Sequence, residues 1–247
     1  MTRVALTISL LVAVAATLTD DDVAEASRYL RTYSFLENEE NHQQSSSLDN
    51  ATNLSEALSL FQEYYGLPGN GVLTVEMIRV MRRPQCGVAD IHAYSPLTRK
   101  WPKTHLTWNF RLASRDTLRM FALWSEQSSM TFSHDPLRPD ILISYQSGAH
   151  AYENSDNEDS CPSPFTGPGS AVAHAFFSTG MANHVTEVHV DETEPWHITL
   201  TRPPSDKLYL LQTLTHEIGH SLGLTHSLRE DSVMYAYTPS EERQYPL

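Results

Sequence analysis

Apolar residues recur at helical spacing in three separate runs within the first third of the chain. These runs lie in residues 19–40, 54–65 and 74–82, and a proline follows the last of them. Spacing of three or four residues between apolar positions predicts amphipathic helices, and a proline ends a helix. The polar residues 38–53 predict an exposed loop between the first two helices. Residues 19–83 are therefore expected to form a small unit of three helices.

The pattern changes beyond this helical unit. Short apolar or alternating runs at residues 106–110, 141–145 and 171–177 predict β-strands, whereas residues 117–130 and 208–222 carry apolar positions at helical spacing. Strand, helix, further strands and a final helix predict a mixed α/β or α+β domain. A long irregular stretch rich in acidic residues precedes the third of these strands. Such a stretch inside a compact domain is either functional or disordered.

Composition limits the possible partners. The chain has 247 residues, is 40% hydrophobic, which is enough for a globular core, and has a formal net charge of -13. That charge would repel the phosphates of a nucleic acid, so no nucleic-acid partner is expected. The acidic excess fits either bound calcium or the surplus of charge that keeps a protein soluble.

Residues 1–18 have the pattern of a signal peptide. Arg3 precedes an apolar run that contains small residues suited to a signal peptidase. The alternative is a buried N-terminal helix. The run is short for a membrane span and no other stretch approaches that length, so we expect a secreted, monomeric chain without a membrane span. Asn50 and Asn53 each begin a glycosylation sequon, which matters only if the chain is exported.

A group of histidines near the end of the chain is the most specific chemical signal. On a helix, residues four apart lie on one face, so His216 and His220 can share one metal ion. A turn at Gly223 would bring His226 to the same ion as a third ligand. Three histidines leave one position of a tetrahedral zinc open, as in catalytic sites, and Glu217 is placed to act as general base and then general acid. The alternative is three histidines with no common ligand.

Two further residues gain a role from this motif. Met234 follows the histidines and is expected to form the floor under the zinc site, as the Met-turn does in metzincins. Cys86 follows the helical unit, and its thiolate is suited to the fourth zinc position, where it would prevent activation of water. The alternative is a disulfide between Cys86 and Cys161, since a secreted chain with two cysteines usually pairs them.

Four motifs in this order resemble the matrix metalloproteinases, the matrixin family of the metzincin clan. FQEYYGLP resembles the end of the family propeptide, PQCGVAD its cysteine switch, HEIGHSLGLTHS its zinc motif, and Met234 its Met-turn. The resemblance implies an α+β fold, namely a metzincin-like catalytic domain with a twisted, mixed five-stranded sheet, packed helices and an active-site helix. A small three-helix propeptide would precede this domain.

The resemblance also implies how the chain is divided and processed. Residues 1–18 would be the signal peptide, residues 19–93 the propeptide with its cysteine switch, and residues 94–247 a catalytic domain that is short at its C-terminus. Cleavage is expected near Ala93–Tyr94. The chain ends before the last helix of the family domain and before any hemopexin domain, which predicts uncovered apolar surface.

A structural zinc ion is also implied by the resemblance. His150, His174 and His189 match three of its ligands, whereas Tyr152 stands where the family has the fourth ligand, an Asp. The candidate substitutes are the acidic residues of the following loop: Glu153, Asp156 and Asp159. The alternative is three exposed histidines that bind no metal.

Calcium ions are implied in the same way. Asp140, Asp191 and Glu194 match calcium ligands of the family, whereas Thr166 stands where an Asp is usual. An acidic cluster in a loop is otherwise a solvated surface, which is the alternative interpretation.

The switch and the pocket depart from the family pattern. Gln85 replaces the usual Arg of the switch and Ala89 replaces a Pro, so an anchor between that Arg and a carboxylate is lost and looser latency is expected. Ala236 replaces the Pro that commonly follows the Met-turn, which alters the wall of the pocket for the residue after the scissile bond.

These observations predict a secreted zinc endopeptidase made as a latent zymogen. It would hydrolyse peptide bonds of extracellular matrix proteins with zinc-activated water, Glu217 as base, and Zn²⁺ and Ca²⁺ as cofactors. The strand at residues 171–177 is expected to pair with an extended substrate. Two alternatives stay open: a catalytically inactive secreted binding or decoy protein, and a zinc hydrolase of another class that gives Cys86 no role.

Overall fold

The computed structural model describes residues 17–36, 47–90, 100–110, 115–151, 160–181 and 183–238. The expected signal peptide, except for its last two residues, lies outside the described residues. So do the expected cleavage site at Ala93–Tyr94, Tyr152 and the three acidic candidates of the loop that follows it.

Three helices form the N-terminal unit, as the hydrophobic spacing predicts. They are α1 (Asp20–Thr32), α2 (Ser47–Tyr64) and α3 (Val75–Met81). Thr19 begins α1 with a reciprocal capping box to Asp22, and Thr74 caps α3 through the amide of Met77. Their facing sides enclose one hydrophobic cluster that contains Leu30, Phe61 and Ile78.

Helix α2 begins earlier than the sequence pattern predicted. It starts at Ser47, inside the polar segment that was expected to be a loop. The apolar spacing identifies only the buried part of a helix, because an exposed helical turn needs no apolar residues. The expected loop over residues 38–53 is therefore wrong for its second half.

One mixed sheet forms the centre of the second unit. Its strands are β1 (Gln85–Cys86), β2 (His105–Phe110), β3 (Thr131–His134), β4 (Ile141–Gln146), β5 (Ala171–Ala175) and β6 (Thr186–Asp191). The spatial order is β1-β5-β6-β4-β2-β3, and only the pairing of β5 with β6 is antiparallel. Strands β2 to β6 agree with the expected five-stranded mixed sheet, and β1 adds a sixth strand at the edge of β5.

Two helices and a short strand pair complete this unit. Helix α4 (Arg115–Glu126) and helix α5 (Leu210–Ser221) pack on the sheet, and β7 (Trp196–His197) pairs with β8 (Leu208–Tyr209). Their apolar side chains close a second hydrophobic cluster, in which Met120 and Ile218 are fully buried. The result is the α+β architecture that the sequence predicted.

Helix α5 is held by indole groups at its middle and at its C-terminal end. The Nε1 of Trp124 donates to the carbonyl of Thr215 at 3.0 Å, and the Nε1 of Trp101 donates to the carbonyl of Ser221 at 2.8 Å. Beyond Ser221, Gly223 has a φ of 100°. This left-handed conformation reverses the chain after the helix, as expected for a glycine at this position.

Gly219 allows Met234 to lie directly beneath α5. A Cβ at Gly219 would overlap the Met234 sulfur and would lie 3.0 Å from the Trp124 ring. Met234 is only 5% exposed, so its thioether has little room to move away. Met234 therefore supports the helix that carries the histidines, in agreement with its predicted place as a floor.

We predict that Gly219→Ala destabilises the protein by about 1 kcal/mol. Overpacking costs about 1–3 kcal/mol, and the higher helix propensity of Ala returns roughly 0.5–1 kcal/mol. Chemical denaturation of both proteins measures the difference. In a Met234→Ala background the overlap with sulfur is removed, so the same substitution should cost less. An equal cost in both backgrounds would contradict a direct contact.

Candidate metal centres

Helix α5 and the turn after it bring three histidines together. The Nε2 atoms of His216 and His220 are 3.1 Å apart, as residues one helical turn apart can be. The reversal at Gly223 places the ring of His226 5.2 Å from that of His216 and 4.7 Å from that of His220, measured between ring centroids. The three predicted ligands of the catalytic zinc therefore converge on one point.

Each of these rings donates its outer proton away from the point of convergence. The Nδ1 of His216 donates to the carbonyl of Val233 and that of His220 to the carbonyl of Leu224, each at 2.7 Å. A carbonyl only accepts, so these hydrogen bonds fix the tautomers and aim both Nε2 lone pairs inward. The Nε2 of His226 is buried and has no hydrogen-bond partner among the described residues. A divalent cation satisfies all three atoms, so this donor set fits zinc.

Glu217 lies beside this centre and is fully buried. Its carboxylate lies against the Cys86 thiol, and neither oxygen has another hydrogen-bond partner within the described part of the chain. Burial raises the pKa of Glu217 from its ordinary value of 4.5 to about 8, and the nearby Cys86 thiol acts in the opposite direction. Burial, and then the neighbouring His226, lower the pKa of His216 to about 3. The site thus favours neutral imidazoles and a carboxyl group that can exchange a proton near neutral pH.

Cys86 occupies the fourth side of the histidine cluster. Its sulfur is 3.5 Å from the Nε2 of His220, and the ligand atoms of these four residues all lie within 4.8 Å of one another. Burial first, and then Glu217, raise the pKa of the thiol in the absence of a cation. Both cysteines of the chain are free, so the alternative Cys86–Cys161 disulfide is not formed.

The backbone of the Cys86 segment is held on both sides. The Cys86 amide donates to the carbonyl of Ala236 at 2.9 Å, and the Gly87 amide donates to the carbonyl of Ala173 at 2.7 Å. A Cβ at Gly87 would lie 3.1 Å from the Cβ of Ala171, so glycine permits this close approach. The segment therefore forms β1 between β5 and the chain that follows Met234.

Side chains from the helical unit add anchors that the sequence did not predict. Asp90 accepts a hydrogen bond from the hydroxyl of Tyr65 at 2.6 Å and one from the Nδ1 of His226 at 2.9 Å. Tyr29 donates to the Oε1 of Gln85 at 3.1 Å. Asp90 therefore has hydrogen-bond partners without an Arg at position 85, and looser latency stays a prediction.

A cleft opens beside Glu217, on the side away from His220. Its volume is about 410 Å³, and its wall includes Pro203, Leu208, Val233 and Ala236. Ala236 thus lines this cleft, and its use as the pocket for the residue after the scissile bond stays a prediction.

A second cluster brings together the three histidines that were expected to bind a structural zinc. The Nε2 of His150 is 2.9 Å from the Nδ1 of His189, and the Nε2 of His174 is 3.1 Å from the same atom. The sulfur of Cys161 lies 3.2 Å from the Nε2 of His174. All four ligand atoms lie within 4.8 Å of one another. The sequence indicated Cys161 only as a possible disulfide partner. The one sequence signal for its position in this cluster is that cysteine is a common metal ligand.

The predicted calcium ligands are only partly brought together. Asp191 is fully buried, and its Oδ2 has no partner in the described structure, which fits a bound cation. Glu194 accepts a hydrogen bond from the amide of Gly169 at 2.8 Å, and burial raises its pKa. Asp140 lies at the opposite end of the β4–β6 pair from Asp191, roughly 20 Å away along the strands, and forms an ion pair of 2.7 Å with Lys103. Calcium binding therefore stays a prediction, which this ion pair disfavours at Asp140.

The remaining predicted positions are the two glycosylation sequons, which matter only for an exported chain. Asn50 and Asn53 both lie in α2, and Asn53 is exposed. No described helix is long and apolar enough to cross a membrane.

Comparisons with known proteins agree with the family resemblance that the sequence motifs and the two histidine clusters indicate. Residues 100–247 match the sequence family described as Matrixin, Peptidase_M10. Human matrilysin is 35% identical over 199 residues, which cover 75% of this chain and 68% of matrilysin. Interstitial collagenase of Sus scrofa is 35% identical over 193 residues, which cover 73% of this chain and 38% of the collagenase.

A third relative extends the match over more of the chain. Human matrix metalloproteinase-15 is 30% identical over 247 residues, covering 87% of this chain and 34% of the relative. The match therefore spans only about a third of two of these relatives and about two thirds of matrilysin. The family match covers more than half of the chain, and the expected resemblance is confirmed: the chain belongs to the matrixin family.

Proposed function

We propose that this chain is the latent precursor of a secreted zinc endopeptidase that hydrolyses extracellular matrix proteins. The observation that carries the proposal is the convergence of three inward imidazole nitrogens beside the buried carboxylate of Glu217. This donor set leaves one position for a fourth ligand, which is the arrangement of a catalytic zinc site. The relatives named matrilysin and interstitial collagenase suggest the class of substrate.

The protein groups divide the work of hydrolysis. His216, His220 and His226 would hold zinc, which supplies Lewis-acid polarisation of the scissile carbonyl and lowers the pKa of water toward ~7. Glu217 accepts the proton of the attacking water and then donates it to the nitrogen of the leaving amine. The position of Glu217 favours this role, because Glu217 lies against Cys86 and its carboxylate would face a water molecule that takes the place of the thiol.

Substrate binding would use the edge of β5 and the neighbouring cleft. In the latent form, β1 occupies that edge through the hydrogen bonds of Gln85 and Gly87. An extended peptide can form equivalent main-chain hydrogen bonds once this segment leaves. The side chain after the scissile bond would then enter the cleft that borders Glu217 and Ala236.

Latency follows from the same contacts. Cys86 takes the position that water needs, β1 takes the edge that the substrate needs, and Asp90 binds the outer nitrogen of His226. Cleavage between the helical unit and β2 would remove all three contacts together. Residues 19–93 would thus act as the propeptide and residues 94–247 as the catalytic domain.

Export and calcium belong to the same proposal. The signal-like residues 1–18 and the exposed sequon at Asn53 support an extracellular location. The buried, unpartnered Oδ2 of Asp191, with Glu194 nearby, supports a calcium ion that ties the loop around Gly169 to the end of β6. We expect the enzyme to act as a monomer.

Replacing the general base tests the catalytic role directly. We predict that Glu217→Gln, after proteolytic removal of the propeptide, lowers kcat/KM for a quenched fluorescent peptide by about 10²- to 10⁴-fold. The amide is isosteric but accepts no proton, so the zinc content should stay the same. Elemental analysis of each preparation provides that control. Full turnover in the variant, or turnover that resists a chelator in the wild type, would contradict the mechanism.

Replacing the switch cysteine tests latency. We predict that the unprocessed Cys86→Ala precursor cleaves the peptide, whereas the unprocessed wild type does not. The fourth zinc position becomes available to water, and β1, no longer tied to zinc by its thiolate, can leave the edge of β5. Gel analysis must show that the precursor is still intact. Asp90→Asn should raise precursor activity less, since it weakens the contact with His226 but keeps the thiol. Equal activity of the intact Cys86→Ala and wild-type precursors would rule out the switch.

The raised pKa of Glu217 predicts a pH effect in the zinc-stripped precursor. Between pH 4.5 and about 8 the unfolded chain has released the carboxyl proton while the folded chain retains it. Unfolding then releases a proton, so the free energy of unfolding contributed by this group falls as pH rises through that window. We predict that Glu217→Gln, compared with wild type in calcium buffer, gains stability progressively toward pH 8. A difference independent of pH would contradict the raised pKa.

A further inference from the structure

Four side chains from four parts of the second unit meet behind β5. His174 on β5 lies directly opposite His189 on β6 in the antiparallel register, His150 follows β4, and Cys161 follows the loop after His150. Their ligand atoms are the two Nε2 atoms of His150 and His174, the Nδ1 of His189 and the sulfur of Cys161. Their mutual distances, all within 4.8 Å, are those of ligands around one ion.

Backbone contacts fix the position of Cys161. Its amide donates to the carbonyl of His150 at 2.7 Å, and Ala151 and Ser160 form an antiparallel bridge just beyond. The ring of Phe165 then covers the cluster, with its centroid 5.1 Å from that of His150 and 5.0 Å from that of His174. Cys161 is 6% exposed. The thiol is therefore held in the cluster by the fold around it.

The outer hydrogen bonds leave the cluster in need of a cation. The Nδ1 of His150 donates to the carbonyl of Gly148 at 2.9 Å, and the Nε2 of His189 donates to the carboxylate of Glu187 at 3.0 Å. These bonds aim the lone pairs of His150 and His189 at each other across 2.9 Å. Two facing acceptors repel unless a positive charge lies between them. A metal ion removes that repulsion and also neutralises a thiolate.

We propose that Cys161 is the fourth ligand of this centre, which therefore binds zinc through three imidazoles and one thiolate. The thiolate takes the place of the carboxylate that the family resemblance implied. Soft sulfur and borderline nitrogen donors select zinc over calcium or magnesium, which prefer oxygen. All four donors come from the protein, so no position is left for a reacting water, and the centre is structural. This inference does not depend on peptidase activity.

The centre would connect the loop to the strand that borders the catalytic cleft. His174 lies on β5, and its neighbour Ala173 accepts the hydrogen bond from Gly87. Zinc bound by Cys161 and His150 would thus hold the two segments on either side of residues 152–159 against β5. Losing the ligand should release one zinc ion and lower the melting temperature without removing the catalytic ligands.

Cobalt substitution distinguishes the two centres by their thiolates. A cysteine bound to Co²⁺ gives a near-ultraviolet sulfur-to-metal charge-transfer band, whereas imidazole and carboxylate ligands give none. The full precursor with Cys86→Ala has no thiol at the catalytic centre. We predict that this variant, loaded with Co²⁺, keeps a thiolate band and binds as much metal as the wild type. Absence of the band in fully loaded protein would overturn the proposal.

Two matched variants in the Cys86→Ala background complete the test. Adding Cys161→Ser should remove the band and reduce bound zinc by one ion per chain. Adding Cys161→Asp should restore the zinc but not the band, because a carboxylate then fills the same position. Retention of the band or of all bound zinc in Cys161→Ser would overturn the assignment. If Cys161→Ser does not fold, the band in the Cys86→Ala protein alone decides the question.

Peptide hydrolysis separates this inference from the proposed function. A Cys86→Ala protein that shows the band but cleaves no peptide would support the second centre and contradict the peptidase. A protein that cleaves peptide but lacks the band would support the peptidase and contradict the second centre.

Discussion

The structure depends on three imidazole rings whose outer protons are all held by other parts of the chain. Two of the acceptors are carbonyls of the turns that follow α5, and the third is the carboxylate of Asp90. Because each outer nitrogen is hydrogen-bonded, the inner nitrogens, which carry the lone pairs, face one another. A cation would satisfy all three inner nitrogens, so the turns and the Asp90 contact are as much a part of the candidate metal site as the helix.

Strand β5 connects the two metal centres because neighbouring residues on a strand point to opposite faces. Ala173 belongs to the hydrophobic cluster beneath α5, and its backbone carbonyl binds Gly87 beside Cys86. The next residue, His174, points to the second cluster. One strand therefore carries the edge expected to bind substrate and a ligand of the centre expected to hold that edge in place. A change in the structure of either centre should affect the other, because the two contacts are made by the adjacent residues Ala173 and His174.

Local geometry explains which parts of the site could be predicted from sequence. The spacing of His216 and His220 needs only the pitch of a helix, and Gly223 needs only its left-handed conformation. The contacts of Cys161 and Asp90 were not predicted, because their partners are distant in sequence and no periodicity marks these residues. Strand β6 was not predicted from its pattern either. Its polar residues resemble those of a solvent-facing strand, although all six residues are buried. His189 faces the second histidine cluster rather than water, and Glu187 accepts a hydrogen bond from its outer nitrogen.

Asp90 gives the proposed latent state a feature that the thiol alone would not. The contact with His226 is buried, with the two side chains 1% and 0% exposed, and Tyr65 of the helical unit supplies a second hydrogen bond to the same carboxylate. A carboxylate on the outer nitrogen strengthens an imidazole as a metal ligand. The helical unit would therefore tighten metal binding while it blocks the fourth position. Activation would exchange this carboxylate for water at the same moment as it removes the thiol, so the zinc would become both accessible and less strongly neutralised by its ligands.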